Sequence, residues 1–452
     1  MKNELRDRSI LGAMIRMAAV SASIVATMSG FAYAQSTEPS VNLATSPIQQ
    51  FGEAAAQHGI IFNSQYMGEA AANPYGGLQS GAEYTGQLNV GADADLYKLF
   101  GLPGGEFHIN FVQRAGNNLA AKALNNSRSV QQIYGYGQTY QLSLLTYEQK
   151  IGNWLDIVVG RDDLDNNFIG YDFLCDFQSN ASCGNTGLMG YDTSMQFNPA
   201  AVWGGRIAIT PTANTYFRVG LYQSYPAINP PRNHGFDWST NNSAGFELPI
   251  EVGYVDTTPG ATQQNKYDVG VVFDRVNFSA PYYNAASPQQ YGRTLLYAQA
   301  QQMIYQVMPN SPRGLYVFGT AMYSPDGEKQ VANYSVEGGA VFQGPFPNRV
   351  DDYVGFMVSD VHYNTNFLNS IFATRQLEGG TEFPASNLVM LELNYSAQLN
   401  SWLNLMPNLQ YVINPDGQGG AGIPVTNEKS ALVVGLQFNV DVAKFFGLSS
   451  GT

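Results

Sequence analysis

Apolar and polar residues alternate along much of this chain. Between Leu432 and Val442 every even position is apolar, and from Gly435 onward the odd positions hold only Gly, Gln, Asn and Asp. A period of two is that of a β-strand whose two faces meet different environments. Because the pattern recurs many times, it predicts a wall that separates an apolar environment from water.

The alternation predicts an all-β protein with about sixteen strands. The predicted strands are 60–67, 83–95, 105–114, 138–150, 153–161, 201–210, 214–223, 248–256, 266–274, 295–307, 314–323, 333–343, 352–362, 388–399, 402–412 and 430–442. Pro407 lies inside the fifteenth of these, where a residue without an N–H would interrupt the ladder. We therefore expect a bulge or a strand end at Pro407.

The connections between these strands alternate in length. Those after even-numbered strands are short, as at Gly152 and at Asn400-Ser401, whereas long connections begin near residues 115, 164, 225 and 363. The connection 324–331 is shorter than this rule predicts. Long loops at one end and short turns at the other are typical of a transmembrane antiparallel β-barrel with short periplasmic turns and long extracellular loops.

No apolar run after residue 35 reaches the roughly 18 residues that a membrane-spanning helix needs. If the chain lies in a membrane, it must therefore close into a barrel, the other structure that satisfies every backbone polar group in hydrocarbon. Residues 59–452 are assigned to this single barrel domain.

The N-terminus has the pattern of an exported protein. Basic residues from Lys2 to Arg16 precede an apolar run from Met17 through Phe31, and small residues surround Tyr33. This pattern predicts a signal peptide over residues 1–34, with a membrane anchor as the alternative. Residues 35–58 would then form a linker and a short helix that begins at Pro47.

Composition supports a barrel and excludes some partners. The chain has 47 Gly, 28 Tyr and 25 Phe but only 13% charged residues, as expected for strands, turns and aromatic belts. The formal charge is −13, and about −15 without the predicted signal peptide. Such acidity disfavours nucleic acid as a partner.

The two cysteines, Cys175 and Cys183, lie eight residues apart in a predicted loop. An even count in an exported protein favours one disulfide, with two free thiols or half of a metal site as the alternatives. Two ligands do not close a zinc site, and no nucleotide loop or metal cluster is visible in the sequence. We therefore predict no cofactor and no metal.

Strand alternation assigns several charged residues to the inside of the barrel. A charged residue on the lipid side would cost roughly 2 to 4 kcal/mol near the membrane midplane, so these residues should face water. Donors and acceptors on opposing walls can hold hydroxyl-rich solutes, although such ion pairs could also simply brace the interior. The residues assigned inward are Arg206, Arg218, Glu251, Asp268, Glu337 and Glu392.

An ordered set of segments resembles one family, the carbohydrate-selective, OprB-type porins of Gram-negative outer membranes. The matching segments are Gly59 to Phe62, Gly160-Arg161, Phe173 to Gly184, Phe197-Asn198-Pro199 with Trp203-Gly204, Tyr216 to Pro226, Gly344-Pro345 with Arg349 and Asp351-Asp352, and Glu392 to Tyr395 with Trp402, Pro407, Gln410-Tyr411 and Asn414-Pro415. Together these segments span nearly the whole chain after the predicted signal peptide.

The resemblance implies a sixteen-stranded porin, monomeric or homotrimeric, in contact with outer-membrane lipid, that passes sugars such as glucose by passive diffusion. It also implies that the loop with the two cysteines folds inward and that Arg161 contributes to the constriction. Family members usually end on an aromatic residue, whereas here Phe445 and Phe446 precede a tail. Either the last strand runs to Phe446 or the insertion signal is atypical.

Two other functions remain open at this stage. An outer-membrane phospholipase needs serine and histidine together, but none of the four histidines (His58, His108, His234 and His362) has an evident serine partner, so we predict that the chain is not an enzyme. A general or organic-acid-selective diffusion porin is the stronger alternative.

Overall fold

The computed structural model describes residues 46–135, 138–184, 186–224, 231–241, 243–279 and 289–448. The predicted signal peptide lies outside the described residues. Sixteen antiparallel strands close into a barrel in which β1 pairs with both β2 and β16. The strands are β1 Ile60–Tyr75, β2 Gly81–Asp95, β3 Gly105–Gly116, β4 Tyr140–Ile151, β5 Leu155–Asp162, β6 Val202–Thr212, β7 Thr215–Ser224, β8 Gly245–Asp256, β9 Asn265–Ser279, β10 Gln289–Gln306, β11 Gly314–Tyr323, β12 Ala332–Gln343, β13 Tyr353–Tyr363, β14 Asn387–Asn400, β15 Leu403–Ile413 and β16 Ala431–Asp441.

The predicted barrel and its sixteen strands are confirmed, and each predicted strand overlaps one observed strand. The alternation also assigns the faces correctly. In β16, Val434 is 47% exposed on the outer face and Gln437 is 3% exposed on the inner face. The apolar row of this strand faces outward, as a barrel wall in lipid requires.

Pro407 lies in the middle of β15, so the prediction of a bulge or strand end is wrong. Pro407 pairs with Leu436 of β16, while the pairing with β14 is interrupted beside it. Asn394 pairs with Asn408 and Ala397 pairs with Leu405, so the same register continues on both sides of the interruption. The missing N–H thus interrupts the ladder locally without shifting the strand.

The described residues include five α-helices outside the strands: α1 Pro47–Gln57, α2 Leu96–Phe100, α3 Met189–Asp192, α4 Thr365–Leu377 and α5 Val442–Phe446. The predicted helix from Pro47 is confirmed as α1. None of the described helices is long and apolar enough to cross a bilayer. At the C-terminus β16 ends at Asp441, whose side chain caps α5, so the last strand does not run to Phe446.

The predicted rhythm of connections is confirmed. Turns such as 152–154, 213–214 and 401–402 lie at one end of the barrel, which we call the short-turn end. The connections 117–139 and 163–201 lie at the opposite, long-loop end. The connection 324–331 is short although it belongs to the long-loop end, as its sequence indicates.

Two of the long connections turn into the barrel and bring apolar side chains with them. Buried residues of these loops form one cluster with inward-facing residues of the strands. Phe173, for example, packs against Tyr316 and Phe318 of β11 with ring centroids 5.0 and 6.0 Å apart. The barrel therefore has an apolar core of its own inside the wall, in addition to its apolar outer surface.

Candidate functional site

The connection 163–201, which we call the disulfide loop, crosses the interior of the barrel. Its contacts reach widely separated strands, because Ile169 donates its N–H to Glu251 of β8 and Tyr171 donates its hydroxyl to Glu337 of β12. Farther along, Gln178 contacts β14 and β15. A loop that spans the interior in this way narrows the lumen.

Glu392 anchors this loop through both of its carboxylate oxygens. It lies on the inner face of β14 and is fully buried. Its two carboxylate oxygens accept the backbone N–H groups of Gln178 and Ser179 at 2.9 and 2.8 Å. Because both oxygens of one carboxyl group bind adjacent backbone N–H groups, Glu392 fixes the loop tip against β14.

The predicted disulfide is present. Cys175 and Cys183 are bonded to each other just before and just after the segment that Glu392 holds. The bond closes a small ring of chain around that tip and limits the freedom of the undocked loop. The disulfide and Glu392 therefore act on the same part of the constriction.

The connection 117–139 also enters the barrel, which the sequence reasoning missed. Its Gln132 donates its N–H to the Gln178 carbonyl, and its Ser129 carbonyl accepts the N–H of Asn180. Its Ile133 donates its N–H to Glu69 of β1. The composition of this segment could have indicated its inward course, because a predicted surface loop would not be expected to hold so many large apolar residues. These residues, all buried in the structure, are Leu119, Leu124, Val130 and Ile133.

The predicted inward carboxylates do face inward, but they are buried against other groups. Glu251 accepts the Tyr297 hydroxyl at 2.9 Å in addition to the N–H of Ile169. Asp268 lies 3.6 Å from the Lys266 ammonium. Glu251, Asp268, Glu337 and Glu392 are at most 6% exposed, and all except Asp268 accept a hydrogen bond from the disulfide loop.

The two predicted inward arginines remain partly exposed. Arg206 donates to Asn167 at 2.7 Å and lies 2.8 Å from Asp156. Arg218 donates to the Asn167 carbonyl and to Glu251, yet its side chain is 30% exposed. Both arginines therefore position the start of the disulfide loop and keep part of the side chain exposed.

The structure corrects the prediction for Arg161. In β5, Arg161 pairs with Trp203, whose side chain is exposed on the outer face, whereas the inward positions are Asp156 and Val158. The Arg161 guanidinium is 1% exposed, lies beneath Trp203 and Trp238, and donates to the carbonyls of Asp237 and Ala201. Strand parity already places Arg161 outside, so the resemblance alone misplaced it.

The interior therefore has two unlike walls. The filled wall comprises the inner faces of β9–β14, which are buried by the inward loops. The open wall comprises the inner faces of β2–β7 near the short-turn end, where every strand contributes at least one charged or titratable side chain. These side chains include Asp93, His108, Glu148, Asp156, Arg206 and Arg218.

Acidic residues of the disulfide loop have perturbed proton affinity. Burial raises the pKa of Asp165 to about 6 and that of Asp192 to about 7. Asp192 accepts the N–H of Val331 from the connection 324–331, which partly offsets the effect of burial. These two carboxyl groups of the docked loop therefore bind protons closer to neutral pH than a solvent-exposed aspartate does.

The family of this chain follows from its sequence match. Residues 79–441 match the model of the carbohydrate-selective porin family, OprB. The chain belongs to the OprB family of porins. It is thus an outer-membrane β-barrel of a Gram-negative bacterium, and its short-turn end faces the periplasm.

Individual relatives agree with this assignment. The chain is 28% identical to Porin B of Pseudomonas aeruginosa over 408 residues, which cover 84% of this chain and 87% of that protein. Its structure resembles Pseudomonas putida OprB at high pH with a TM-score of 0.77 and 25% identity, over 86% of this chain and 95% of that one. The DcaP channel of Acinetobacter baumannii, 8% identical with a TM-score of 0.51 over 84% of this chain and 96% of that one, shares the fold alone.

Proposed function

We propose that sugars such as glucose cross this OprB-type porin passively, between the disulfide loop and the open wall, and that Arg206 and Arg218 select them. The observation that carries the proposal is that both arginine side chains are partly exposed, and that Arg206 lies beside the partly exposed carboxylate of Asp156 on the open wall. A sugar hydroxyl both donates and accepts, so it can bind an N–H and a carboxylate oxygen side by side.

The pairing of charges on the open wall favours neutral polyols over organic anions. Arg206 is neutralised by Asp156 at 2.8 Å, and Glu251 lies 3.3 Å from Arg218. Asp93 and Glu148 add negative charge nearer the periplasm. An organic acid would meet carboxylates along this path, whereas a neutral sugar would meet hydrogen-bonding groups without net repulsion.

Block of the ion current by solutes tests this proposal. In planar bilayers, glucose and maltose should block the current of the wild-type channel more strongly than organic acids of similar size do. Arg218→Ala should weaken the block, and Arg218→Lys should restore part of it, because lysine keeps the charge but loses the planar fork of donors. Equal block by sugars and organic acids would support a general or organic-acid-selective porin instead.

We also propose that the chain forms homotrimers in the membrane and has no hydrolytic activity. Ala70 and Ala82 are exposed on the outer face beside the β1–β16 seam, where small side chains would allow a neighbouring barrel to approach closely. Light scattering of the detergent-solubilised protein separates a monomer from a trimer. Assays for lipid and glycoside hydrolysis on the same sample test the second part.

A further inference from the structure

Three side chains that are dispersed in the sequence converge on the open wall at the periplasmic end of the lumen. They are Glu106 and His108 of β3 and Glu148 of β4. The His108 Nε2 atom lies 3.2 Å from Glu148 Oε2 and 3.8 Å from Glu106 Oε2. Each residue offers one ligand atom, and these atoms all lie within 4.8 Å of one another, which is the spacing of ligands around one metal ion.

The second ring nitrogen of His108 is also held. Asp93, directly opposite in β2, lies 2.6 Å from His108 Nδ1. When Nδ1 donates its proton to this carboxylate, the lone pair of Nε2 is directed at the two glutamates. A carboxylate on the far nitrogen is the usual partner of a metal-binding histidine, because it fixes the ring and its tautomer.

The outer oxygens of the two glutamates are occupied by cations. Lys150 lies 3.2 Å from Glu106 Oε1 and 3.5 Å from Glu148 Oε1, and Arg206 lies 3.8 Å from Glu148 Oε1. These contacts all involve Oε1, whereas the Oε2 atoms face His108. The cations therefore orient both carboxylates so that their Oε2 atoms face His108 Nε2, which is within hydrogen-bond distance of Glu148 Oε2. A metal ion at this point would take the place of the proton between them.

The strand register supports a positive charge between the glutamates. Glu106 pairs directly with Glu148 across β3 and β4, and with Asp95 across β2 and β3. Like charges directly opposite each other destabilise a sheet. Lys150 offsets part of this repulsion, and a divalent cation between Glu106 and Glu148 would offset more of it.

We propose that His108 Nε2, Glu106 Oε2 and Glu148 Oε2 bind one divalent transition-metal ion, with Zn²⁺ as the best match. One imidazole and two carboxylates suit Zn²⁺, whereas Mg²⁺ and Ca²⁺ prefer oxygen ligands alone. Water completes the coordination from the lumen. The bound ion brings positive charge to an acidic exit and lowers the cation conductance there.

Zinc binding to the full-length, tag-free protein in detergent tests the site. After removal of metal with a chelator, calorimetry should give one Zn²⁺ per chain, with binding of Mg²⁺ and Ca²⁺ far weaker. His108→Gln and Glu148→Gln should abolish the binding. Asp93→Asn should weaken it by about 10- to 100-fold, as loss of an outer partner does at other metal sites.

His362→Gln is the matched control, because it also removes one imidazole but lies far from the cluster in sequence, stacked on Tyr334. It should bind Zn²⁺ as the wild type does. Circular dichroism of each variant checks that the barrel is intact, and a folded Glu106→Gln variant gives an independent test if His108→Gln fails to fold.

Channel conductance with Zn²⁺ added to only one side of the membrane gives a second test of the site. Micromolar Zn²⁺ added on the periplasmic side of a planar bilayer should reduce the cation conductance of the wild type but not of His108→Gln. The proposal is overturned if the wild type binds no Zn²⁺, or if folded His108→Gln and Glu148→Gln bind it unchanged. In that case His108 serves as an internal cation for the surrounding carboxylates.

Discussion

The filled wall and the open wall use charged residues in opposite ways. On the filled wall Glu337 and Glu392 are buried and accept hydrogen bonds from the disulfide loop. On the open wall Asp93 is 44% exposed and Arg218 is 30% exposed. A sixteen-stranded barrel thus obtains a narrow, one-sided path because loops fill one side of it, while the other side keeps its polar groups in water.

Removal of the Glu392 carboxylate, which binds the tip of the disulfide loop, should have the largest effect on the difference between the two walls. In Glu392→Ala the N–H groups of Gln178 and Ser179 lose their acceptor in a buried place, which costs roughly 1 to 3 kcal/mol for each unsatisfied group. We expect the loop tip to detach and the single-channel conductance to rise. Sugar block should fall at the same time, since the solute would no longer be confined to the open wall.

Glu378→Ala is the control for this variant, because Glu378 is exposed at the end of α4. It should leave conductance and block unchanged. If Glu392→Ala has wild-type conductance and block, then the disulfide loop does not depend on this carboxylate, and the other anchors hold it unaided.

Loss of the disulfide should have the next largest effect. Replacement of Cys175 and Cys183 together by Ser lengthens the free chain around the loop tip, and the entropy of closing a ring of this size corresponds to about 2 to 3 kcal/mol. We expect more current noise and faster proteolysis within 163–201 but little change in mean sugar affinity. Wild-type protein treated with reductant should behave like the double variant, and a difference between the two would point to an effect of the substitutions themselves.

The sequence predicts the barrel well because alternation reports what each face of a strand meets. It identifies all the strands and places Glu251, Arg206 and Arg218 on the inner face. It does not reveal the filled wall, because Tyr316 and Met357 also face inward although they are apolar. From alternation alone, we expect every inward-facing side chain to be polar and to contact water. Part of the interior instead contacts the two inward loops, and the course of these loops depends on contacts between residues that are distant in sequence.

A change of pH should have a smaller effect, on the stability of the docked disulfide loop at the edge of the filled wall. The pKa of Asp192, ordinarily 3.8, is raised to about 7 by burial, so between those values the docked loop binds a proton that the undocked loop does not. Lowering the pH from 8 to 5 should therefore stabilise the docked loop, by at most about 1.4 kcal/mol per pH unit, and raising it through 7 should remove this gain.

Hydrogen exchange of the Asp192 amide, corrected for the intrinsic pH dependence, measures this stability. Asp192→Asn keeps an acceptor for the Val331 N–H but cannot titrate, so its protection should vary less with pH. An unchanged pH dependence in Asp192→Asn would assign the effect to another carboxylate, with Asp165 as the next candidate because its pKa is raised to about 6.

The smallest effect on transport should come from replacing Arg161. This replacement distinguishes residues that act on the solute inside the barrel from residues that stabilise its outer wall. Arg161→Met removes donors from the carbonyls of Asp237 and Ala201 beneath Trp203, so the outer wall should become less stable. Sugar block should stay at the wild-type level, because this side chain does not reach the lumen. Arg218→Ala, measured beside it in the same bilayers, should differ from Arg161→Met in weakening the block, and it should also lose some stability because the buried Glu251 loses its nearest cation. A loss of block in Arg161→Met with unchanged melting would mean that the guanidinium acts on the solute after all, and the assignment of selectivity to the open wall would then have to include β5 at its long-loop end.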